Sequence, residues 1–287
     1  MKSRILTSII GIPVLVAVIF FSHTLVLPVA VAFFCVLGIW EMLDCLGFSK
    51  VPSVAVPSLI YAALFSVITK PMLDFTGNLM AVFAVFGAVS FAYTFYLLCT
   101  AVVSKGKKEV GAIALVAVTT SYIVTGFISL LGLRSLTHEI LESYGMFIFV
   151  LVFVGAWGPD IAAYFGGRFF GKHKLIPDVS PKKTVEGAIS GIAFGPVSFI
   201  ITGLVYSRLG YGSPNYLVLA VAGVMVAVVS IFGDLIASLI KRKYGIKDYG
   251  KLFPGHGGVM DRFDSIIAIA PFMLIICAVS ELAGLFI

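Results

Sequence analysis

Residues 216–264 read YLVLAVAGVMVAVVSIFGDLIASLIKRKYGIKDYGKLFPGHGGVMDRFD. Up to Ile240 the only charged residue in this stretch is Asp234. The run then passes through Lys241-Arg242-Lys243, turns on Pro254-Gly255-His256-Gly257-Gly258, and ends in Asp261-Arg262-Phe263-Asp264. An apolar run of about 20 residues is long enough to cross a bilayer as a helix. A chain that spends so little charge in its helices keeps charge where it is used, so the segment after Ser238 is the first place to look for chemistry.

The rest of the chain repeats the pattern. Of its 287 residues 60% are hydrophobic and 12% charged, with a mean hydropathy of +1.10, against about 25% charge in a soluble domain. This is the composition of an all-α, polytopic integral membrane protein, a single membrane domain over 1–287. Residues 1–143 supply hydrophobic spans, and 144–287 hold helices with polar loops between them. The net charge of +6 meets no soluble basic domain that could hold nucleic acid, so anionic headgroups or a phosphorylated substrate are the partners it suits. Cys35, Cys45, Cys99 and Cys277 have no metal-ligand spacing and read as small buried hydrophobes.

Apolar windows predict nine spans, near 5–22, 25–44, 54–70, 78–103, 110–133, 144–166, 186–206, 216–240 and 265–287. The first resembles a signal peptide but reads as a retained helix. Breaks are expected at Lys70-Pro71 and at Arg134 to Ser143, among others. Alternating loops then place Lys2, Arg4, Lys50, Lys105, Lys107, Lys108, Arg168, Lys172, Lys174, Lys182, Lys183, Lys241, Arg242, Lys243, Lys247, Lys251 and Arg262 on one side. Only Lys70, Arg134 and Arg208 fall on the other. The positive-inside rule makes the first side cytoplasmic, with the N-terminus inside and the loops 167–185 and 241–264 facing the cytoplasm.

Carboxylates within apolar segments are the next signal. An aspartate at a helix centre costs about 2.5–3.5 kcal/mol to insert and usually faces a polar cavity. Asp160 follows Gly158-Pro159, where the helix is expected to bend or break. Asp234 precedes Lys241 by seven residues, two turns along one helix face. Glu41 and Asp44 end the second span and read as interfacial; Glu281 is assigned no role. Asp261 and Asp264 share a face if the chain is helical there.

With Asp234 these acids can form a cluster suited to Mg²⁺, which is commonly held by one or two carboxylates and substrate phosphates. Lys182, Lys183, Lys241, Arg242 and Arg262 surround them with positive charge for a polyphosphate. Acids for metal and bases for phosphate are what phosphoryl or nucleotidyl transfer requires. Backbone amides of Gly257 and Gly258 can cradle phosphate. His256 is open to three readings: donor to phosphate, acid, or structural residue.

The string S-L-I-K-R-x4-K-D-x-G-x2-F-P-G-H-G-G-V-M-D-R-F-D resembles the signature of the phosphatidate cytidylyltransferases, or CDP-diacylglycerol synthases. Residues 180–187, SPKKTVEG, are similar to a second segment of that family, bringing in Thr184 and Glu186 beside Lys182 and Lys183. Trp157, Asp160, Ala163 and Tyr164 match a third, W-x-x-D-x-x-A-Y, although Gly158-Pro159 stand where the family more usually has Ala-Thr or Ala-Asn. The likeness lies mainly within 155–264.

What the resemblance implies is an Mg²⁺-dependent transfer of CMP from CTP to phosphatidic acid by an all-helical, homodimeric membrane enzyme. Its metal-binding aspartates fall on Asp234 and Asp261, with Asp264 in the same motif and Asp160 as a supporting acid. Asp234, Asp261 and Lys241 are then expected to be catalytic. Lys182, Lys183, Thr184, Glu186, Arg242, His256, Gly257, Gly258 and Arg262 are expected to bind substrate, and a second cation is left open. An ion-coupled carrier, a CDP-alcohol phosphotransferase and a polyprenol kinase are the rivals. The absence of a repeat and of the D-G-x2-A-R run disfavours the first two; product analysis separates the third.

Overall fold

Apolar runs with no water to bond must satisfy every backbone group internally, and helices do so within one segment. The computed structural model describes residues 13, 17–104, 109–136, 143–255 and 257–282. Its helices are α1 (Val26–Cys45), α2 (Pro52–Thr76), α3 (Leu79–Val103), α4 (Val110–Arg134), α5 (Tyr144–Phe170), α6 (Val185–Arg208), α7 (Tyr216–Lys243) and α8 (Met260–Leu282). Among the described residues these eight are long and apolar enough to cross a membrane. The protein is a polytopic all-α membrane protein. The expected first span, 5–22, lies mostly outside the described residues.

Local sequence sets the helix ends. Pro52 sits in the first turn of α2, and Gly77 closes that helix in the left-handed conformation at φ 59°. The side chain of Asn78 then caps α3 by accepting from Ala81 N at 3.2 Å.

Three expectations are corrected. Helix α2 does not stop at Lys70-Pro71 but continues to Thr76. Lys70 and Asp74, one turn apart, pair at 2.9 Å, so the two charges sit together on the helix and Gly77 ends it instead. Helix α5 does not break at Gly158-Pro159 and runs on to Phe170. The last helix starts at Met260, five residues before the expected 265, which makes Asp261 and Asp264 helical neighbours.

A feature not foreseen is a β-hairpin between α5 and α6, with β1 (Lys174–Ile176) antiparallel to β2 (Ser180–Thr184). Lys174 stands opposite Thr184, and Ile176 opposite Ser180.

The chain divides into two compact units, Met1–Gly132 with Lys243–Phe263, and Leu133–Arg242 with Asp264–Ile287. In the first, α2 and α3 are joined by hydroxyl pairs, Ser58 with Tyr93 at 2.7 Å and Tyr61 with Ser90 at 2.6 Å. The Tyr61 and Tyr93 rings stack at 4.6 Å. Interhelical hydrogen bonds and close packing take over in lipid, where apolar burial gives little drive. The second unit uses small residues for the same end. A Cβ on Gly187 would lie 2.7 Å from Ala163 O, one on Gly191 2.9 Å from Pro159 O, and one on Gly223 2.6 Å from Gly195 O. Helices α5, α6 and α7 therefore touch backbone to backbone, which fixes the side chains at their ends.

Candidate active site

The second unit gathers the charges. Asp234, Ser238 and Lys241 follow one another along one face of α7, at i, i+4 and i+7. Ser238 Oγ donates to Asp234 Oδ1 at 3.3 Å, and Lys241 is buried at 8% exposure. From the end of β2, Lys183 reaches across to pair with Asp234 Oδ2. Its ammonium nitrogen is sealed from solvent and, among the described residues, makes no hydrogen bond besides that ion pair. An ammonium has three donors, so this one keeps donor capacity in a closed place.

Two further acids complete the cluster. Asp160 of α5 lies within electrostatic reach of Lys183 and Asp234. Asp264 of α8 feels Asp234, Lys241 and Asp160, and its Oδ1 accepts from Ser265 N at 2.8 Å. Gly233 makes this approach possible: a Cβ there would stand 2.7 Å from Ala268 Cβ and 3.0 Å from Asp264 O. Ser265 Oγ also donates to Ser230 O at 3.3 Å, tying α8 to α7.

Three carboxylates therefore face two lysines, an excess of negative charge in hard oxygen donors. That donor set fits Mg²⁺ chemically. Among the described residues no three His, Cys, Asp or Glu side chains already stand in a metal-holding arrangement. A site using one or two carboxylates and completed by substrate phosphates suits both facts.

The hairpin is fastened at its base. Thr184 caps α6, its Oγ1 accepting from Gly187 N at 3.1 Å. Glu186, in the first turn of α6, accepts from His173 N at 3.2 Å on both oxygens and lies 2.6 Å from His173 Nδ1. Arg242 Nε donates to Val179 O at 3.3 Å, holding the tip against α7. Thr184, Glu186 and Arg242, expected at substrate, thus carry hairpin contacts, while the alternation of β2 separates exposed Lys182 from half-buried Lys183.

In the first unit the glycine-rich loop closes on itself. Phe253 N donates to Gly257 O at 2.9 Å, and Gly255 and Gly257 have φ of 78° and 86°. Asp261 Oδ2 accepts from Tyr249 N at 2.8 Å and Gly258 N at 3.0 Å. The amide of Gly258, expected to be available to phosphate, is therefore engaged by Asp261. Exposed Arg262 lines a cavity of about 700 Å³ together with Lys247, Lys251, Gly250 and Gly257. His256 lies outside the described residues.

Glu41, read from sequence as interfacial, is instead buried at 8% exposure. It accepts from Val259 N and Met260 N, each at 2.9 Å. The signal was an acid in an apolar span; its partners are 218 and 219 residues away. His173 and Ser238 were missed too, and only their contacts distinguish them.

The family described as the cytidylyltransferase family matches residues 2–280 of this chain. A phosphatidate cytidylyltransferase of Bacillus subtilis (strain 168) is 31% identical over 284 residues, covering 97% of this chain and 98% of the relative. One from Staphylococcus haemolyticus is 29% identical over 278 residues, 96% and 98% of the two chains. A Haemophilus influenzae phosphatidate cytidylyltransferase is 42% identical over 143 residues, about half of each chain. With the match running through nearly every described helix, the chain belongs to the cytidylyltransferase family and is a membrane-embedded nucleotidyltransferase.

Proposed function

We infer that this chain transfers CMP from CTP to phosphatidic acid, giving CDP-diacylglycerol and pyrophosphate in phospholipid synthesis. The observation that carries the reading is the buried Lys183 ammonium paired with Asp234 among Asp160, Asp264 and Lys241. Such a mixture serves phosphate and cation together.

A phosphate-monoester oxygen of phosphatidic acid attacks the α-phosphorus of CTP. The new P–O bond forms as the bond to the β-phosphate oxygen breaks, and pyrophosphate leaves with that electron pair. The nucleophile is already ionised near pH 7, so no strong base is needed. Catalysis rests on positioning and on neutralising charge. Lys183 and Lys241 take phosphate oxygens, and the bond from Ser238 holds the Asp234 carboxylate in place. Lys182, Arg242 and Arg262 add to the positive field that draws in the triphosphate.

Asp234 and Asp264 are the proposed Mg²⁺ ligands; for Asp261, of the first unit, a metal-binding role rests on the family resemblance alone. When bound, the cation neutralises the triphosphate and the leaving pyrophosphate. Asp160 supports the cluster. The site is proposed to open to the cytoplasm of a bacterial cell, on the charge asymmetry of the loops, and the enzyme to be a homodimer, on the family resemblance.

Purified protein incubated with labelled CTP, phosphatidic acid and Mg²⁺ should move label into the lipid phase. Diacylglycerol in place of phosphatidic acid, or dATP in place of CTP, should give far less. Label that follows diacylglycerol instead would point to a kinase-like reaction and overturn the reading.

A further inference from the structure

A stripe on α1 faces the start of α8. The Phe34 ring lies 5.0 Å from Phe263. A Cβ on Gly38 would lie 3.3 Å from Met260 Sδ. Glu41 ends the stripe by accepting from Val259 and Met260 amides at 2.9 Å. Positions 34, 38 and 41 are i, i+4 and i+7, one face of one helix. The first backbone amides of a helix have no partner within it, and here a carboxylate from a distant span supplies one. All of these residues belong to the first unit.

The same carboxylate explains two glycines of the loop. A Cβ on either Gly250 or Gly258 would collide with the Glu41 carboxylate oxygens. Among the described residues, Gly250 lines the 700 Å³ cavity with Lys247, Lys251 and Arg262, three cations against the one acid there, Asp248. Asp261 backs the other side of that wall, where a Cβ on Gly257 would come within 2.7 Å of its Oδ2. The basic cavity is therefore built on backbone pressed against two carboxylates. Neither Glu41 nor α1 belongs to any of the motifs that point to the chemistry.

We propose that Glu41 is a positioning residue for nucleotide binding: it clamps Gly250, Gly258 and the α8 start so that the cations of the loop cavity stand ready for the triphosphate of CTP. The substrate half of this inference rests on the cytidylyl-transfer reading above; the clamp itself does not. A clamp acts by removing the ordering cost that binding otherwise bears, so its loss should appear in affinity rather than in turnover at saturation.

The test is Glu41→Gln in the full-length protein, with Glu41→Ala and Gly258→Ala beside it. Gln has almost the same volume but turns an amide donor towards one of the two N–H groups. Hydrogen exchange read by mass spectrometry needs no substrate, and the segment around Val259 and Met260 should exchange about tenfold faster in Glu41→Gln. Helices α5 and α6 should be unchanged. CTP binding measured by titration calorimetry should weaken by about tenfold, with kcat at saturating CTP largely kept.

Gly258→Ala should weaken CTP binding in the parent protein and do less further harm in the Glu41→Ala background, where the colliding carboxylate is gone. If exchange accelerates while CTP affinity holds, Glu41 is only structural and the proposal fails. Unchanged exchange also overturns it, by removing the clamp. A parent protein that binds no CTP at all overturns the functional reading instead, and with it the substrate half, while exchange still decides the clamp.

Discussion

Lys183 of the hairpin and Asp234, the nineteenth residue of a spanning helix, meet as an ion pair whose ammonium nitrogen is shut off from solvent. Breaking such a pair from one side strands the other charge. The pair is held in a cluster with Asp160, Asp264 and Lys241, so neither charge can be removed without altering the field around the rest.

Lys183→Met should reduce kcat/KM for CTP by about a hundredfold, the effect of a lost charged contact to phosphate in a dry site. Steady-state assays over a range of CTP concentration check this. The double variant Lys183→Met/Asp234→Asn should lose less than the sum of the two single losses, because the residues act as one unit.

Gly233→Val should destabilise the second unit. Its Cβ alone would stand 2.7 Å from Ala268 Cβ, and overpacking of a tight contact costs about 1–3 kcal/mol. A lower Tm in detergent and loss of activity are expected together. Unchanged Tm would show that α7 and α8 are not in the contact described.

Glu186→Ala should loosen the base of the hairpin, since three contacts to His173 disappear. Limited proteolysis should cut within 171–184 more readily, and activity should fall several-fold, less than for Lys183→Met. Equal losses in the two variants would argue that Glu186 touches substrate directly.

Lys70→Ala is the contrasting case. Its partner Asp74 is one turn away at 2.9 Å, on a side chain 61% exposed. Such pairs contribute about 0.3–0.5 kcal/mol, so Tm and turnover should both stay near the parent values.

Much of the fold was legible because hydrocarbon imposes a simple length rule on apolar runs. Windows of spanning length located α1 to α8, and errors came where one residue outweighed the window. Pro71 and Pro159 read as breaks, yet both lie inside continuous helices. The hairpin of 174–184 escaped notice because strands of three and five residues carry no usable period. At the candidate site, Asp160, Asp234, Asp264, Lys183 and Lys241 stood out as charge in or beside apolar sequence, and the second unit brings them together. Glu41 shared that signal, but what it holds lies far along the chain. No spacing rule connects position 41 to 259.

The central claim is that the Asp234 carboxylate, held by Lys183 and Ser238, serves CTP-dependent chemistry on a lipid phosphate. Its most direct test is the rate at which folded Asp234→Asn protein moves label from CTP into the lipid phase with phosphatidic acid and Mg²⁺. The account predicts a loss of at least about a hundredfold that added Mg²⁺ does not restore, with size-exclusion behaviour like the parent. Turnover at the parental rate in that variant would contradict it.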